Sequence, residues 1–444
     1  MFPPIYNMDR KNKTSGGFKY ITMKEAFLHF LWRWRRFDSR ALRTTDSQEL
    51  EILHPGELNT HSGPDFFNAR IRLSGTLWAG NVEMHLRASE WLAHGHETDR
   101  AYDNVVLHVV LDEDVPIVRL DGGRLPCLAL RDRIPPRLLQ SYFRLENEKH
   151  WIPCAPNFAQ ADGIVRLNWL DRLLVDRLEA KTAAVALQLE STGQHWEEAF
   201  YRQLAYGYGL KINTEPFAQL ARLLPLNLVS RYRNRISQVE ALVFGQAGFL
   251  EKPFEEDYPN MLAQEYRFLQ HKHQLQPLET QLWKFLRLRP AGFPTLRLAQ
   301  FSSVLHHNEL LWNAVLEARD MKEVTALLRH EPSDYWHSHY HFSKSGKEAT
   351  HQPGNDFIRL LVINVLAPFV FHHGKIKNKP DLMDKALHWL ESMPPEDNVV
   401  LRSWASLGCK AQNAAQGQAL LQLKTHYCDA QRCLECAIGT ALLK

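Results

Sequence analysis

The 444-residue chain reads as an α/β unit built on a mixed sheet flanked by helices, followed by a mainly α-helical region. Three observations predict this. Two strand-like runs, Asp65 to Leu73 and Thr76 to Leu86, are joined by the turn pair Ser74-Gly75. A continuous apolar run, Val105 to Leu111, has the composition of a strand buried on both faces. Beyond about residue 160 strand signals nearly vanish. Apolar residues there recur at helical spacing: Leu170, Leu173, Leu174 and Leu178, then Trp196, Phe200, Leu204 and Tyr208, then Phe217, Leu220 and Leu224.

In chain order, residues 1–22 are polar and read as a flexible tail, with Met23 as an alternative start. Glu25 to Arg36 has helical spacing, with Phe27, Phe30, Leu31 and Trp34 inward and Arg33, Arg35 and Arg36 on the other face. Glu51-Ile52-Leu53 reads as a first strand. The polar loop after it offers Glu57, Asn59 and His61 as candidate accessory ligands, because loops that feed rigid strands often carry them; an ordinary turn explains them almost as well. Gly63-Pro64 turns the chain into Asp65. In the next strand, alternation puts Val82, Met84 and Leu86 on one face and Glu83 and His85 on the other. Ser89 is placed to cap a short helix, 90–94, that Gly95 stops.

His94 and His96 flank that glycine, with Asp99 and Tyr102 beyond. Together they can ligate a metal or contact a phosphate; favourably placed imidazoles at a helix end are the alternative. His108, inside the apolar run, reads as a buried, hydrogen-bonded structural histidine. Val115 to Pro136, with Gly122-Gly123, reads as one more hairpin, Trp151 to Pro156 as a linker, and Cys127 and Cys154 as plain buried thiols. The expected domains are therefore the tail 1–22, an α/β domain over 23–150, and helical structure over 160–444.

A hydrophobic fraction of 45% and a charged fraction of 23% are ordinary for a globular protein. The net charge of +3 is too small for a protein that coats nucleic acid, so any basic surface is local. The first residues lack the apolar core of a secretory signal, and no apolar stretch looks long enough for a bilayer. The nearest candidate, Phe357 to Phe371, contains Asn364 and Pro368 and reads as a buried helix. Six cysteines without an export signal argue for thiols or metal ligands rather than disulfides, and for a cytoplasmic location without membrane contact.

Two carboxylates on a rigid hairpin, Asp65 and Glu83, form a hard oxygen site suited to magnesium or manganese. Such an ion activates water and neutralises charge developing on a phosphate. His85 beside it can orient or deprotonate the water. On these residues the segment resembles the PD-(D/E)XK nuclease core, with Pro64-Asp65 as the first half of its motif and Glu83-Met84-His85 as the second. The order strand, strand, helix, strand after a first helix is also that core's order. The resemblance implies a restriction-endonuclease-like sheet, a magnesium held by Asp65 and Glu83, and hydrolysis of DNA. His85 would orient the water, and His94 or His96 would contact the scissile phosphate.

His85 stands where that family prefers Lys. A catalytically inactive, nuclease-like DNA-binding or assembly protein is therefore the alternative, and a hydrolase of another phosphate ester is a third reading. Taken whole, the chain resembles an uncharacterised bacterial family. Its full-length members combine segments like Gly63-Pro64-Asp65-Phe66, Asn81-Val82-Glu83-Met84-His85 and His94-Gly95-His96 with a terminal cysteine cluster. That second resemblance implies no activity.

Three basic groups lie in the helical region: Arg231 and Arg235, read as sharing a helix face, with Arg233 close by; Arg287, Arg289 and Arg297 around Pro290 to Pro294; and Lys375, Lys377 and Lys379. Together they suggest a nucleic-acid platform, with DNA ahead of RNA; solvated helix faces are the alternative. Near the end, Cys433 and Cys436 have the two-residue gap that lets both thiolates face one metal. Cys428 adds a third ligand, and His426 or the distant Cys409 a fourth, giving a structural zinc. The spacing also echoes an iron–sulfur site, which would need a fourth cysteine further on. Metal-free thiols on a terminal helix are the remaining reading.

Overall fold

Turn residues set the sheet. In the computed structural model, which describes residues 23–59, 62–119, 121–147, 150–342 and 344–443, Ser74 (φ 47°) and Gly75 (φ 85°) both adopt left-handed backbone. That geometry closes a tight hairpin between β3 (Phe66–Leu73) and β4 (Thr76–Arg87). The expected tail, 1–22, and His61 lie outside the described residues. β1 (Leu50–His54) and the two-residue β2 (Glu57–Leu58) both pair antiparallel with β3. On the other side, β4 pairs parallel with β5 (Val105–Asp112), and β5 parallel with β6 (Cys127–Ala129). The sheet is mixed, as the sequence predicts, with strand order β1-β3-β4-β5-β6.

The parallel step from β4 to β5 needs a crossover, and the short helix Glu90–Ala93 with the loop after it supplies one. β5 is buried at every position but its last, which accounts for its unbroken apolar run. The hairpin expected over Val115 to Pro136 is reduced to one isolated bridge, Val118 to Arg124. Ile117, Leu125 and Cys127 are drawn instead into the core beside Val105 and Val110, and Cys127–Ala129 takes the open edge of β5.

Helix α1 (Glu25–Trp34) packs on β4. Phe27, Leu28, Phe30, Leu31 and Trp32 are buried. The inward face thus includes Trp32, whose indole N–H donates to Pro55 O at 2.8 Å, and not Trp34, which is 54% exposed beneath the Arg33 guanidinium. The indole partner decides between the two tryptophans. This rotation leaves Glu25 and His29, one helical turn apart, on the half-buried edge of α1.

Two local devices shape β4. Phe66 pairs with Val82 and Ala69 with Gly80, so β3 carries one extra residue, a bulge with Asn68 at φ 57°. A Cβ at Gly80 would meet Val106 and come within 2.6 Å of Asn104 O. Only glycine lets the incoming strand approach there.

The chain divides into two compact units. One runs to Val165 and takes back Tyr427–Lys444; the other is Arg166–His426. The cysteine run therefore sits with the sheet. The second unit is helical apart from the small pair His339–His341 and Lys344–Ser345. Its longest apolar helix, Asn355–Ile376, exceeds the run read from the sequence and is long and apolar enough to cross a membrane by length and composition; 78% of its most apolar window is buried inside the protein. A π turn at Val362–Leu366 lies just ahead of Pro368, which cannot donate to the preceding turn, so the helix widens instead of breaking.

Candidate metal centre

Asp65 and Glu83 are locked to each other where the β3–β4 ladder begins. The Asp65 N–H donates to Glu83 Oε2 at 3.1 Å, and the Met84 N–H donates to Asp65 Oδ2 at 3.0 Å. Glu83 Oε1 then reaches across to His96 Nε2 at 3.4 Å and His85 Nε2 at 3.7 Å. His85 Nε2 lies 3.1 Å from His94 Nδ1. One ring nitrogen each from His85, His94 and His96 falls within 4.8 Å of the others, the spacing of donors around a single ion. His85 is buried, His96 half-buried and His94 exposed, so the group opens to solvent on the His94 side.

A second group meets the first through the Asp65–Glu83 contacts. His29 Nε2 is 3.3 Å from Asp65 Oδ2 and 3.4 Å from Glu25 Oε1. These are ion-pair contacts rather than aligned hydrogen bonds, and the nitrogen is buried. Glu25, His29 and Asp65 also satisfy the one-ion spacing.

The alternation read from the sequence is present, but neither face of β4 is solvated here: Val82, Glu83, Met84 and His85 are all buried. α1 and the short helix Glu90–Ala93 both pack on β4, and the His96 ring lies over His85, which closes the strand off. Ser89 does not cap the short helix through its hydroxyl, which donates to Asp114 Oδ2 at 2.6 Å; Glu90 instead accepts the Leu86 N–H at 3.0 Å. Gly95, at φ 73°, ends the helix as expected and swings His96 back. The His96 ring stacks on Tyr102 with centroids 3.8 Å apart, and Trp91 meets its edge. The outer wall is a crevice of about 300 Å³ lined by His96, Tyr102, Trp91 and Arg119.

Burial and charge set the protonation states. Burial pushes the Glu83 carboxyl up to about 9, and the neighbouring Asp65 charge pushes it the same way. Burial drives His85 down to about 4 and His108 to about 3, and lowers His96. These three imidazoles are thus neutral at pH 7, the form in which His85 and His96 can act as ligands. Burial would lower His29 as well, but its close contacts with the Asp65 and Glu25 carboxylates outweigh it and raise its pKa to about 9. His29 is therefore an imidazolium at neutral pH.

His108 Nε2 lies 2.9 Å from His85 Nδ1, so this fully buried residue fixes the ring that presents Nε2 to the centre. His108→Leu suits the apolar strand but removes that support. If the centre holds an ion, that change should lower its affinity roughly 10–100-fold, read by competition with a chelating dye, with little change in folding.

α1 contributes Glu25 and His29, which sequence reasoning missed; an i, i+4 Glu–His pair looks like any solvated helix face. The basic groups are only partly available. Arg231 ends one helix and Arg235 begins the next, so they share no helix face. Arg233 pairs with Glu309 at 3.0 Å, and Lys375 with Glu179 at 2.7 Å. The Arg297 guanidinium sits 3.5 Å over the Phe357 ring and is a core group. Arg231, Arg235, Arg287, Arg289, Lys377 and Lys379 remain exposed.

Fold and centre together define an α/β sheet protein with a histidine–carboxylate cluster, joined to a helical unit. Residues 25–399 match the family described as Protein of unknown function (DUF2851), and the chain belongs to that family. The match begins at Glu25 and takes in every residue of the centre; the cysteine run Cys428 to Cys436 lies beyond it. No curated protein and no solved structure matches the chain.

Proposed function

We propose that the centre binds a divalent cation and hydrolyses phosphodiester bonds, with DNA as the substrate ahead of RNA. The observation that carries this reading is the convergence of three imidazoles and the Glu83 carboxylate beside Asp65 and a protonated His29. Imidazole nitrogens suit zinc, and the Glu83 carboxylate beside them admits manganese, whereas magnesium would depend on the oxygens of Asp65 and Glu83. His85, His94, His96 and Glu83 would hold the ion, which on binding lowers the pKa of its water. Asp65 holds His29 in place as an imidazolium, and His29 delivers its proton to the leaving oxygen. The exposed arginines and lysines of the helical unit supply positive charge of the kind phosphate backbones attract. β3, β4, the short helix Glu90–Ala93 and β5 follow one another as in the order the nuclease resemblance implies, although β1 and β2 stand between α1 and β3.

Purified protein tested with manganese, zinc and magnesium should nick supercoiled plasmid, and Asp65→Ala and Glu83→Ala should not. Binding to DNA without cleavage under any of these ions would instead support the inactive DNA-binding reading. Cleavage of a small phosphodiester alone would point to another phosphate ester.

Metal binding should also depend on pH in a definite direction. Below about pH 9 Glu83 keeps its proton in the metal-free protein, and the ion must expel it. Affinity should therefore rise about tenfold per pH unit as pH increases toward 9, with about one proton released per ion. Calorimetric titrations in buffers of different ionisation heat read that proton directly.

A further inference from the structure

We infer that Cys154 joins Cys428, Cys433 and Cys436 in one thiolate-held metal centre, either zinc or an iron–sulfur cluster. In sequence Cys154 lies far from the other three. In the structure the segment Tyr427–Lys444 returns to the sheet-bearing unit that contains Cys154. The terminal helix Ala437–Leu442 packs on the turn Ala155–Gln160, which begins at the residue after Cys154. Leu442 and Cys154 line the same crevice. A Cβ at Gly439 would strike the Cys433 carbonyl, so the helix is held tightly over the Cys433–Cys436 turn. Cys154, Cys433 and Cys436 are all buried, at 8%, 9% and 7% exposure.

All six cysteines are thiols in this structure. Burial holds the Cys154 and Cys433 protons to about 12; the fields of the neighbouring cysteines push the same way, from Cys436 onto Cys154 and from Cys154 and Cys436 onto Cys433. Single buried thiols are common small hydrophobes. Here three buried thiols from two distant stretches share one unit and feel one another's fields, two of them at metal-ligand spacing in sequence. Among the described residues no three of the sulfurs stand at the one-ion spacing of the histidines, so the ion draws them together on binding. Cys428 is half-exposed, a few residues before Cys433 on the same segment. The chain folds back after it through Gln431 N–H to Cys428 O at 3.2 Å and Arg432 N–H to Tyr427 O at 2.8 Å. This set takes Cys154 in place of His426, which is exposed and belongs to the other compact unit. It also supplies, from upstream, the fourth cysteine that an iron–sulfur spacing requires. On binding, the ion displaces the thiol protons, and the site staples the chain's last segment to the sheet.

The test uses full-length protein purified without oxygen, carrying His85→Ala and His94→Ala so that the histidine centre contributes no metal. Elemental analysis should find zinc in a colourless protein, or iron and sulfide in a brown one. Cys154→Ser and Cys436→Ser should each lose that metal, whereas Cys127→Ser, a buried thiol of the sheet, should keep it. If Cys154→Ser fails to fold, alkylation of the parent decides: a chelator should expose Cys154 together with the other three. A metal-free parent, or Cys154 reacting independently of the chelator, overturns the proposal.

Discussion

Replacing Glu83 by glutamine should leave a protein that folds as well as the parent and no longer holds metal at the histidine centre. The carboxyl is neutral in the metal-free protein because burial and the Asp65 charge raise its pKa to about 9. Glutamine reproduces that neutral, hydrogen-bonded shape but cannot become an anionic ligand. Its amide oxygen can still accept the Asp65 N–H, now 3.1 Å from Glu83 Oε2. The lost metal chemistry is worth several kcal/mol, so hydrolysis should fall roughly 10³-fold, at about 1.4 kcal/mol per factor of ten. Thermal melting without metal, metal titration and plasmid nicking separate the two effects. Unchanged metal affinity in this variant would remove Glu83 from the ligand set.

His29→Gln should behave differently. Its ion stays bound, because His29 faces Asp65 and Glu25 rather than the three imidazoles. Turnover should fall roughly 10²–10⁴-fold through loss of the proton donor. The pH profile carries the distinguishing mark. The donor must be protonated, and Asp65 and Glu25 hold its pKa near 9, so parent activity should decline as pH rises through 9. In the variant that alkaline limb should vanish. A limb that persists would assign the alkaline ionisation to another group.

Much of this centre was legible in the sequence because it depends on local rules. A two-residue turn and alternation along β4 place Glu83 and His85, and Gly95 returns His96 toward them, whereas Asp65, just ahead of β3, is set by the bulge at Asn68. What stayed hidden depends on tertiary packing. Glu25 and His29 matter only because α1 lies on β4, and the rotation of α1 is decided by the Trp32 indole reaching Pro55 O. His108 reads correctly as buried and hydrogen-bonded, but its partner, His85 on the neighbouring strand, is set by parallel register that no local pattern encodes. The Ser89 hydroxyl has two possible uses, and Asp114, 25 residues away in sequence, decides between them. Cys154 looked like an isolated thiol for the same reason: the chain's last segment returns to it across the whole helical unit.

The central claim is that His85, His94, His96 and Glu83 grasp one ion. Anomalous diffraction from crystals soaked in manganese tests it most directly. The account predicts a single strong peak about 2.0–2.3 Å from those imidazole nitrogens and the Glu83 carboxylate. A map with no peak there, while the four side chains keep their present contacts with one another, would contradict it.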